Sequence, residues 1–316
     1  MFRTHESADV PRAPVAPLLL ALLLVLALVA CSGPDPADGS AAASDSTSDE
    51  KSSTKVAVTE AKEATVGVAA NAGESEGSSG APFVSRTESS GGSSYQADTL
   101  LGVRYGSHDG YERVVLDLGT GDRPAGKVPE WNLMSPEREG VVRVTLPSVS
   151  RTDVSDGRLG DALLDGFYVV RAPDGGVFVD VFARKAFAYR VLELSDPARL
   201  VVDFEPTGEP LKSQPPAVGG DTVLVEPRAG ARAGDPLTVS GYSRNFEASN
   251  TIVLTDPEGE TVVSQTVTGN DWSSTWGYFE ATLDLRPFTG KGILQVGTSS
   301  ARDGSFQGVE VPVRGG

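Results

Sequence analysis

The chain has 316 residues, of which 43 are acidic and 27 are basic, so its formal net charge is −16. This acidic balance argues against a nucleic-acid partner, which needs a basic face that releases counterions. The single cysteine excludes an intramolecular disulfide and a cysteine-rich zinc site. The length allows one large domain or two ordinary ones.

The first 30 residues are typical of an export signal. Residues 18–30 are all apolar, a run that is too short for a spanning helix of about 20 residues but fits a secretory signal. The run ends in Leu28, Val29, Ala30 and Cys31, which resemble a bacterial lipobox. The resemblance implies a signal peptide over 1–30, a covalent lipid on Cys31, and an anchor at the extracytoplasmic face of the bacterial cell membrane. Two or three acyl chains would make that attachment stable.

A low-complexity segment follows the cysteine. Residues 32–95 contain no Leu, Ile, Trp or Met, and Ser, Gly and Ala are 34 of the 64 residues. Such a composition cannot bury enough apolar area to offset the entropy of ordering. We therefore predict a disordered tether over 31–96, with a root-mean-square span of about 40–50 Å.

Residues 97–206 change to short alternating runs separated by turns, which predicts a first β-sandwich. A short helix or turn is expected near 161–164, and hairpin turns are expected at 173–176 and 195–198. The predicted strands are 114–118, 141–146, 167–171, 177–182, 189–194 and 200–204.

Two stretches of this module resemble a known family. YERVVLDL at 111–118 and YRVLELSDPARLVVDFEP at 189–206 resemble the opening and closing strands of AMIN-like domains, as found in bacterial lipoproteins. The resemblance implies an envelope-localisation module that binds peptidoglycan or partner proteins.

A second module follows a linker rich in Pro and Gly at 207–220. Residues 221–316 hold seven further runs, the usual strand number of an immunoglobulin-like sandwich. The fold class is thus all-β, with two β-sandwich domains in tandem. The predicted strands are 223–225, 237–241, 251–255, 262–267, 278–285, 292–298 and 308–313.

The order of motifs in this module resembles the immunoglobulin-like domain of bacterial spore germination. The motifs are PLTVSG at 236–241, NFEA at 245–248, Gly277 with Phe279, and Ser300 with the turn at 303–304. The resemblance implies an extracytoplasmic adhesion or interaction unit.

Five residues are candidates for a binding surface: Trp131, Phe246, Glu247, Trp272 and Trp276. Tryptophans near one another can form a platform for a sugar ring. Four of them have a structural alternative. Trp131 and Trp276 also fit core positions, and Phe246 and Glu247 also fit roles in closing the sandwich end and fixing its loop. Trp272 is expected to be the more exposed of the pair 272 and 276.

No catalytic or metal-binding set is predicted. His108 lies in a turn without a nucleophile motif, and the acidic turn at 256–260 lacks the spacing of an EF-hand. Most acids are expected in turns or on the outward faces of strands. Arg113 and Arg199 are each expected to pair with an acid on a neighbouring strand.

Together these patterns predict a non-catalytic, membrane-anchored envelope lipoprotein without cofactors, whose two modules bind cell-wall polymer or envelope proteins. One alternative is a sporulation or germination factor at the membrane, which rests on the second module's resemblance. A further alternative is a carboxylate-based cell-wall hydrolase.

Overall fold

The computed structural model describes residues 81–136, 139–160 and 162–316. All of these belong to one compact unit of the chain, which spans 60–316. The predicted signal peptide, Cys31 with its lipobox, and most of the predicted tether lie outside the described residues. Among the residues described, no helix is long and apolar enough to cross a membrane.

The described chain is nearly all β, which confirms the predicted fold class. Its elements are β1 (Glu88–Gly91), β2 (Thr99–His108), β3 (Tyr111–Thr120), β4 (Arg123–Pro124), β5 (Trp131–Met134), β6 (Val141–Leu146), β7 (Arg151–Thr152), β8 (Asp156–Arg158), β9 (Leu164–Arg171), β10 (Val177–Ala183), β11 (Phe187–Leu194), β12 (Arg199–Pro206), β13 (Ala217–Gly219), β14 (Thr222–Glu226), β15 (Leu237–Ser243), a 3₁₀ turn (Phe246–Ala248), β16 (Ser249–Thr255), β17 (Thr261–Thr268), β18 (Trp276–Leu283), β19 (Gly290–Ser299) and β20 (Phe306–Gly315).

Strands β1–β12 form the first module, a sandwich of two sheets. One sheet has the order β11-β12-β3-β2-β7, with β4 beside β3, and the other begins β1-β5-β6-β10-β9, with β8 beside β9. Alternation along β6 explains the packing, because Val142, Val144 and Leu146 are buried while the residues between them are partly exposed. These side chains enter the core between the two sheets.

Strands β13–β20 form the second module. One sheet contains β18-β15-β14-β13 and the other has the order β17-β16-β19-β20. All seven predicted runs are strands, and β13 is a short addition. The core between the sheets is aliphatic apart from Phe279, and it includes Ile252, Leu254, Leu294 and Val296.

The two modules share one ten-stranded sheet. Trp276 and Gly277 at the start of β18 pair in parallel with Val170 and Arg171 at the end of β9. The hydroxyl of Thr275, which is buried, also donates to the carbonyl of Val169. We call this junction of β9 and β18 the seam, and a separate apolar core, the seam core, covers it. The buried members of the seam core are Val170, Ala172, Phe178, Phe182, Val223, Tyr242 and Trp276.

An ion pair between a half-buried arginine and a buried aspartate lies beside the seam core. The Arg143 guanidinium donates to both carboxylate oxygens of Asp180 at 2.8 Å, and it stacks over the Phe178 ring at 3.9 Å from the centroid. Burial alone would lower the pKa of Arg143, but the Asp180 carboxylate raises it above its ordinary value. Asp180 is fully buried because β10 has one face in the first-module core and the other in the seam core.

A second buried carboxylate lies in the six-stranded sheet. Asp203 accepts from Arg113 at 2.6 Å and from Arg190 at 2.7 Å. The predicted pairing of Arg113 with a neighbouring-strand acid is therefore confirmed. The expectation that strand acids point outward is wrong for Asp180, which lies under the seam core and pairs with Arg143, and for Asp203, which pairs with arginines on both adjacent strands.

Three local predictions need correction. The tether prediction extends to residue 96, yet β1 pairs with β5 and Val84 forms a backbone bridge to Tyr189. This segment is ordered through main-chain bonds that a composition argument does not detect. Of the helix or turn expected near 161–164, the helix is wrong: residues 162–163 form a bend, and Leu164 already begins β9. Within the predicted linker, Ala217–Gly219 is strand β13.

Candidate functional site

Two aromatic side chains project together from the second module. The rings of Phe246 and Trp272 lie 5.1 Å apart between centroids at 70°, in an edge-to-face arrangement. Phe246 is 70% exposed and Trp272 is 39% exposed. Glu247, the neighbour of Phe246, is also exposed. We call Phe246, Glu247 and Trp272 the aromatic patch.

A buried amide network holds the loop that carries Phe246. The Asn245 side-chain amide donates to Thr222 Oγ1 at 3.0 Å and to Asn250 Oδ1 at 2.8 Å. The Asn250 amide then donates to the Ala248 carbonyl at 3.1 Å. These bonds fix the short turn from both ends. The aromatic side chain is thus presented by a well-anchored backbone.

The same turn contains strained backbone. Glu247 and Ala248 each have φ of 55°, a left-handed conformation that is uncommon for residues with a side chain. Strain of this kind persists only where the surrounding structure enforces it, and it is concentrated at functional sites. Here the conformation turns the Phe246 and Glu247 side chains toward solvent while Ala248 stays buried.

Asp271 organises the loop that carries Trp272. Its Oδ1 accepts the backbone N–H groups of Trp272 at 2.7 Å and of Ser273 and Ser274 at 3.0 Å each. Its Oδ2 faces the Arg171 guanidinium at 3.3 Å. Burial alone would raise the pKa of Asp271, but these N–H groups and Arg171 together lower it below its ordinary value.

Asn270 ties the loop to the first module. Its amide nitrogen donates to the carbonyls of Arg171 at 3.1 Å and Ala172 at 3.2 Å, and its oxygen accepts the Tyr278 N–H at 2.8 Å. Gly277 allows this close approach, because a Cβ there would clash with the Asp271 backbone. The Trp272 loop is therefore positioned by both modules.

Trp276 is part of the seam and not of the patch. It is 5% exposed, and its ring contacts Tyr168 edge-on at 5.0 Å between centroids. Its indole N–H donates to Asp156 Oδ1 at 3.1 Å. The structure therefore confirms that Trp272 is the more exposed of the two tryptophans and removes Trp276 from the predicted binding surface.

The comparisons with known proteins identify this module. Residues 223–305 match the immunoglobulin-like domain of bacterial spore germination. No curated protein and no solved structure matches the chain. The matched range includes all three residues of the aromatic patch. The likeness of residues 97–206 to AMIN-like domains stays a prediction.

Trp131 lies outside this immunoglobulin-like module. It is 4% exposed on β5, packs in the first-module core, and donates its indole N–H to Glu193 Oε1 at 2.8 Å. The same oxygen accepts the Gly92 N–H at 2.8 Å. The ring thus offers no free face to a ligand, and the structure does not bring it into the aromatic patch.

The patch presents apolar and hydrogen-bonding groups side by side. Its two rings offer apolar faces and edges, and the Glu247 carboxylate accepts hydrogen bonds. Among the residues that the structure describes, no group of three or more His, Cys, Asp or Glu side chains is placed to hold a metal ion. Such a surface fits a ligand with both apolar faces and hydroxyl or amide donors.

Sequence reasoning found the patch residues and missed their supports. Asn245, Asn270 and Asp271 decide where the two rings point, yet in the sequence they are ordinary turn residues. Asn245 has one further signal, as the first residue of the NFEA motif at 245–248, while Asn270 and Asp271 have only their position shortly before Trp272. Arg171, from the first module, gives no local signal of its contact with Asp271.

Proposed function

We propose that the chain is a non-catalytic envelope lipoprotein that binds cell-wall glycan through the aromatic patch. The observation that carries the proposal is the exposed Phe246–Trp272 pair, held by loops that two modules fix in place. Exposed aromatic anchors on a rigid scaffold lose little conformational entropy on binding. The match to the immunoglobulin-like domain of bacterial spore germination supports a non-catalytic envelope role.

Stacking and hydrogen bonding would supply the affinity. The modules carry a net negative charge, with 13 basic and 18 acidic residues in 96–206 and 8 basic and 13 acidic residues in 207–316. Anionic wall polymers would therefore be repelled over longer distances, and screening by salt would relieve that repulsion. The fraction of the protein that is retained on the wall is expected to stay constant or to rise as the ionic strength increases.

The lipid on Cys31 completes the proposal. It would fix the chain at the extracytoplasmic face of the cell membrane, and the segment before the first module would give the modules reach. Membrane fractionation of the full chain and of Cys31→Ser tests this part. Release of the variant into the soluble fraction supports the anchor, and continued membrane association contradicts it.

Sedimentation with isolated peptidoglycan tests the binding part. The full chain is expected to sediment with the polymer, and free muropeptide fragments are expected to compete. Failure to sediment at any ionic strength would overturn glycan binding. Envelope proteins would then be the remaining class of partner, and cross-linking in intact cells would identify them.

A role in germination is a second candidate, and the family match is the observation that favours it. On this proposal the patch would contact a component of the germination machinery. Deleting the gene in its host and measuring spore germination tests the role. A delay that Trp272→Ala reproduces would support it, and unchanged germination after deletion would exclude it.

A further inference from the structure

Strand β17 is a long sheet edge, and its first residue, Thr261, accepts a hydrogen bond from the Arg286 side chain at 3.1 Å on its backbone carbonyl. It runs over eight residues, ends the four-stranded sheet of the second module, and pairs only with β16 among the described strands. It contains no charged residue and no proline. An edge of this kind presents unpaired backbone N–H and C=O groups to any strand that approaches.

The other sheet ends are protected. Strands β1, β7 and β13 are two to four residues long. Strand β20 is covered by the segment before β15, where Gly230 donates to the Pro312 carbonyl at 2.7 Å and Ala233 donates to the Arg314 carbonyl at 2.8 Å. Short length and a covering segment are recognised ways of blocking edge pairing.

The remaining end, β11, is crossed by the chain itself. Val84 exchanges two backbone hydrogen bonds with Tyr189, at 2.8 and 2.9 Å. The strand also carries the charged residues Arg190 and Glu193. Among the sheet ends that the structure describes, β17 is therefore the long strand that carries no charged residue and lies under no covering segment.

The sequence of β17 is nearly symmetric about Gln265. The central stretch reads Val263, Ser264, Gln265, Thr266, Val267. A register irregularity at the start of the strand leaves this stretch in regular pairing with β16. Ser264, Gln265 and Thr266 are exposed, while Val263 and Val267 are partly buried against the module core.

This symmetry suits pairing with an identical strand. A two-fold axis perpendicular to the sheet places the same face of both copies on the same side of the joined sheet. Each residue of β17 therefore lies opposite a residue of the second copy that points to the same side. With the axis at Gln265, Val263 lies opposite Val267 of the second copy, and Ser264 lies opposite Thr266. Gln265 lies opposite its own equivalent. No charges meet, and each pair is of a kind that stabilises antiparallel strands.

We propose that the protein self-associates by antiparallel pairing of β17 with β17 of a second copy, centred on Gln265. The two four-stranded sheets then form one eight-stranded sheet across the dimer. The interface is isologous and closed, because both copies use the same edge.

A cysteine placed at the two-fold axis tests this register. In the full chain, Gln265→Cys brings two thiols to opposed positions, where Cβ atoms about 4.5–5.5 Å apart allow a disulfide after small adjustment. Mild oxidation should give a covalent dimer on a non-reducing gel. Ser264→Cys is the matched control, because it lies opposite Thr266 and should cross-link several-fold less. The parent chain shows any background from Cys31.

A charge variant gives an independent measurement. Gln265→Lys places two like charges across the axis and should convert the full chain from dimer to monomer, as measured by its mass in solution, with its circular dichroism spectrum unchanged. Equal cross-linking of Gln265→Cys and Ser264→Cys would overturn the proposal, as would a monomeric parent chain. If the thiol of the Gln265→Cys variant cross-links only to a different protein, the edge binds a foreign strand and the proposal is wrong.

Discussion

Trp276 of the second module lies beside Val170 of the first in a parallel strand pair, and this contact makes one sheet of two modules. The indole also fills the seam core between Tyr168 and Tyr242. Few strand residues are paired here, so the side-chain packing around the indole carries much of the junction. The two modules consequently behave as one folded body.

Trp276→Ala should therefore destabilise the whole unit. Removing a buried tryptophan costs about 3–5 kcal/mol. Calorimetry of the full chain should show one cooperative transition that moves to lower temperature. Trp272→Ala is the matched control, since its ring is partly exposed, and it should change stability far less. Two separate transitions, with only one of them moved, would contradict a single folded body.

The Arg143–Asp180 pair gives a second prediction. Asp180→Ala leaves the half-buried Arg143 guanidinium without its partner, which costs about 1–3 kcal/mol. The double variant Arg143→Met, Asp180→Leu removes both charges and should recover most of that loss, because an apolar pair can replace a buried ion pair. Urea denaturation of the parent, the two single variants and the double variant measures the coupling. Additive losses in the double variant would contradict the argument.

Arg228 should behave in the opposite way to Arg143. It is buried in the second module, and its Nε and one terminal nitrogen have no hydrogen-bond partner among the described residues. The nearest carboxylate, that of Glu226, is 3.9 Å away. Burial lowers the pKa of Arg228. Unsatisfied buried donors of this kind are costly.

Arg228→Met should accordingly raise the free energy of unfolding by about 1 kcal/mol. The methionine keeps the apolar packing of the side chain and removes the unpaired donors. Arg143→Met is the comparison, and it should lower stability because it leaves the buried Asp180 carboxylate without its partner. A loss of stability in Arg228→Met as large as that in Arg143→Met would show that the guanidinium has a partner.

Asp271 makes the Trp272 loop sensitive to acid. Its pKa in the folded chain lies below the ordinary value of 3.8, so folding favours the charged form. The resulting stabilisation is present above about pH 4 and is lost as the pH falls through the folded-state pKa. Asp271→Asn should cost about 1–2 kcal/mol at pH 7 and much less near pH 2. Equal effects at both pH values would rule out this ionisation as the source.

The strands were predictable because their signal is local. In β6 and in β20, apolar residues recur at every second position. The Phe246 and Trp272 candidates also came from the sequence, since both lie in turn regions between apolar runs. Their side-by-side placement depends on loops that are distant along the chain, and periodicity carries no such information.

The seam was not predictable for a related reason. On strand β10 the second face carries Phe178, Asp180 and Phe182, and the charge of Asp180 leads to the expectation that its position faces solvent. The second module covers that face, so all seven residues of β10 are buried. Whether the face that carries Asp180 meets water or another module depends on tertiary contacts. The only local sign of its burial is that Asp180 is a single charged residue within an otherwise apolar strand.

The central claim is that the aromatic patch binds cell-wall glycan, and retention of patch variants on isolated peptidoglycan tests it most directly. The double variant Phe246→Ala, Trp272→Ala should lose about 2 kcal/mol of binding free energy or more, roughly a 30-fold weaker affinity. Phe306→Ala is the matched control, because Phe306 is 39% exposed in the same module but outside the patch. It should bind like the parent chain. Unchanged affinity in the double variant, with folding intact, would contradict the account.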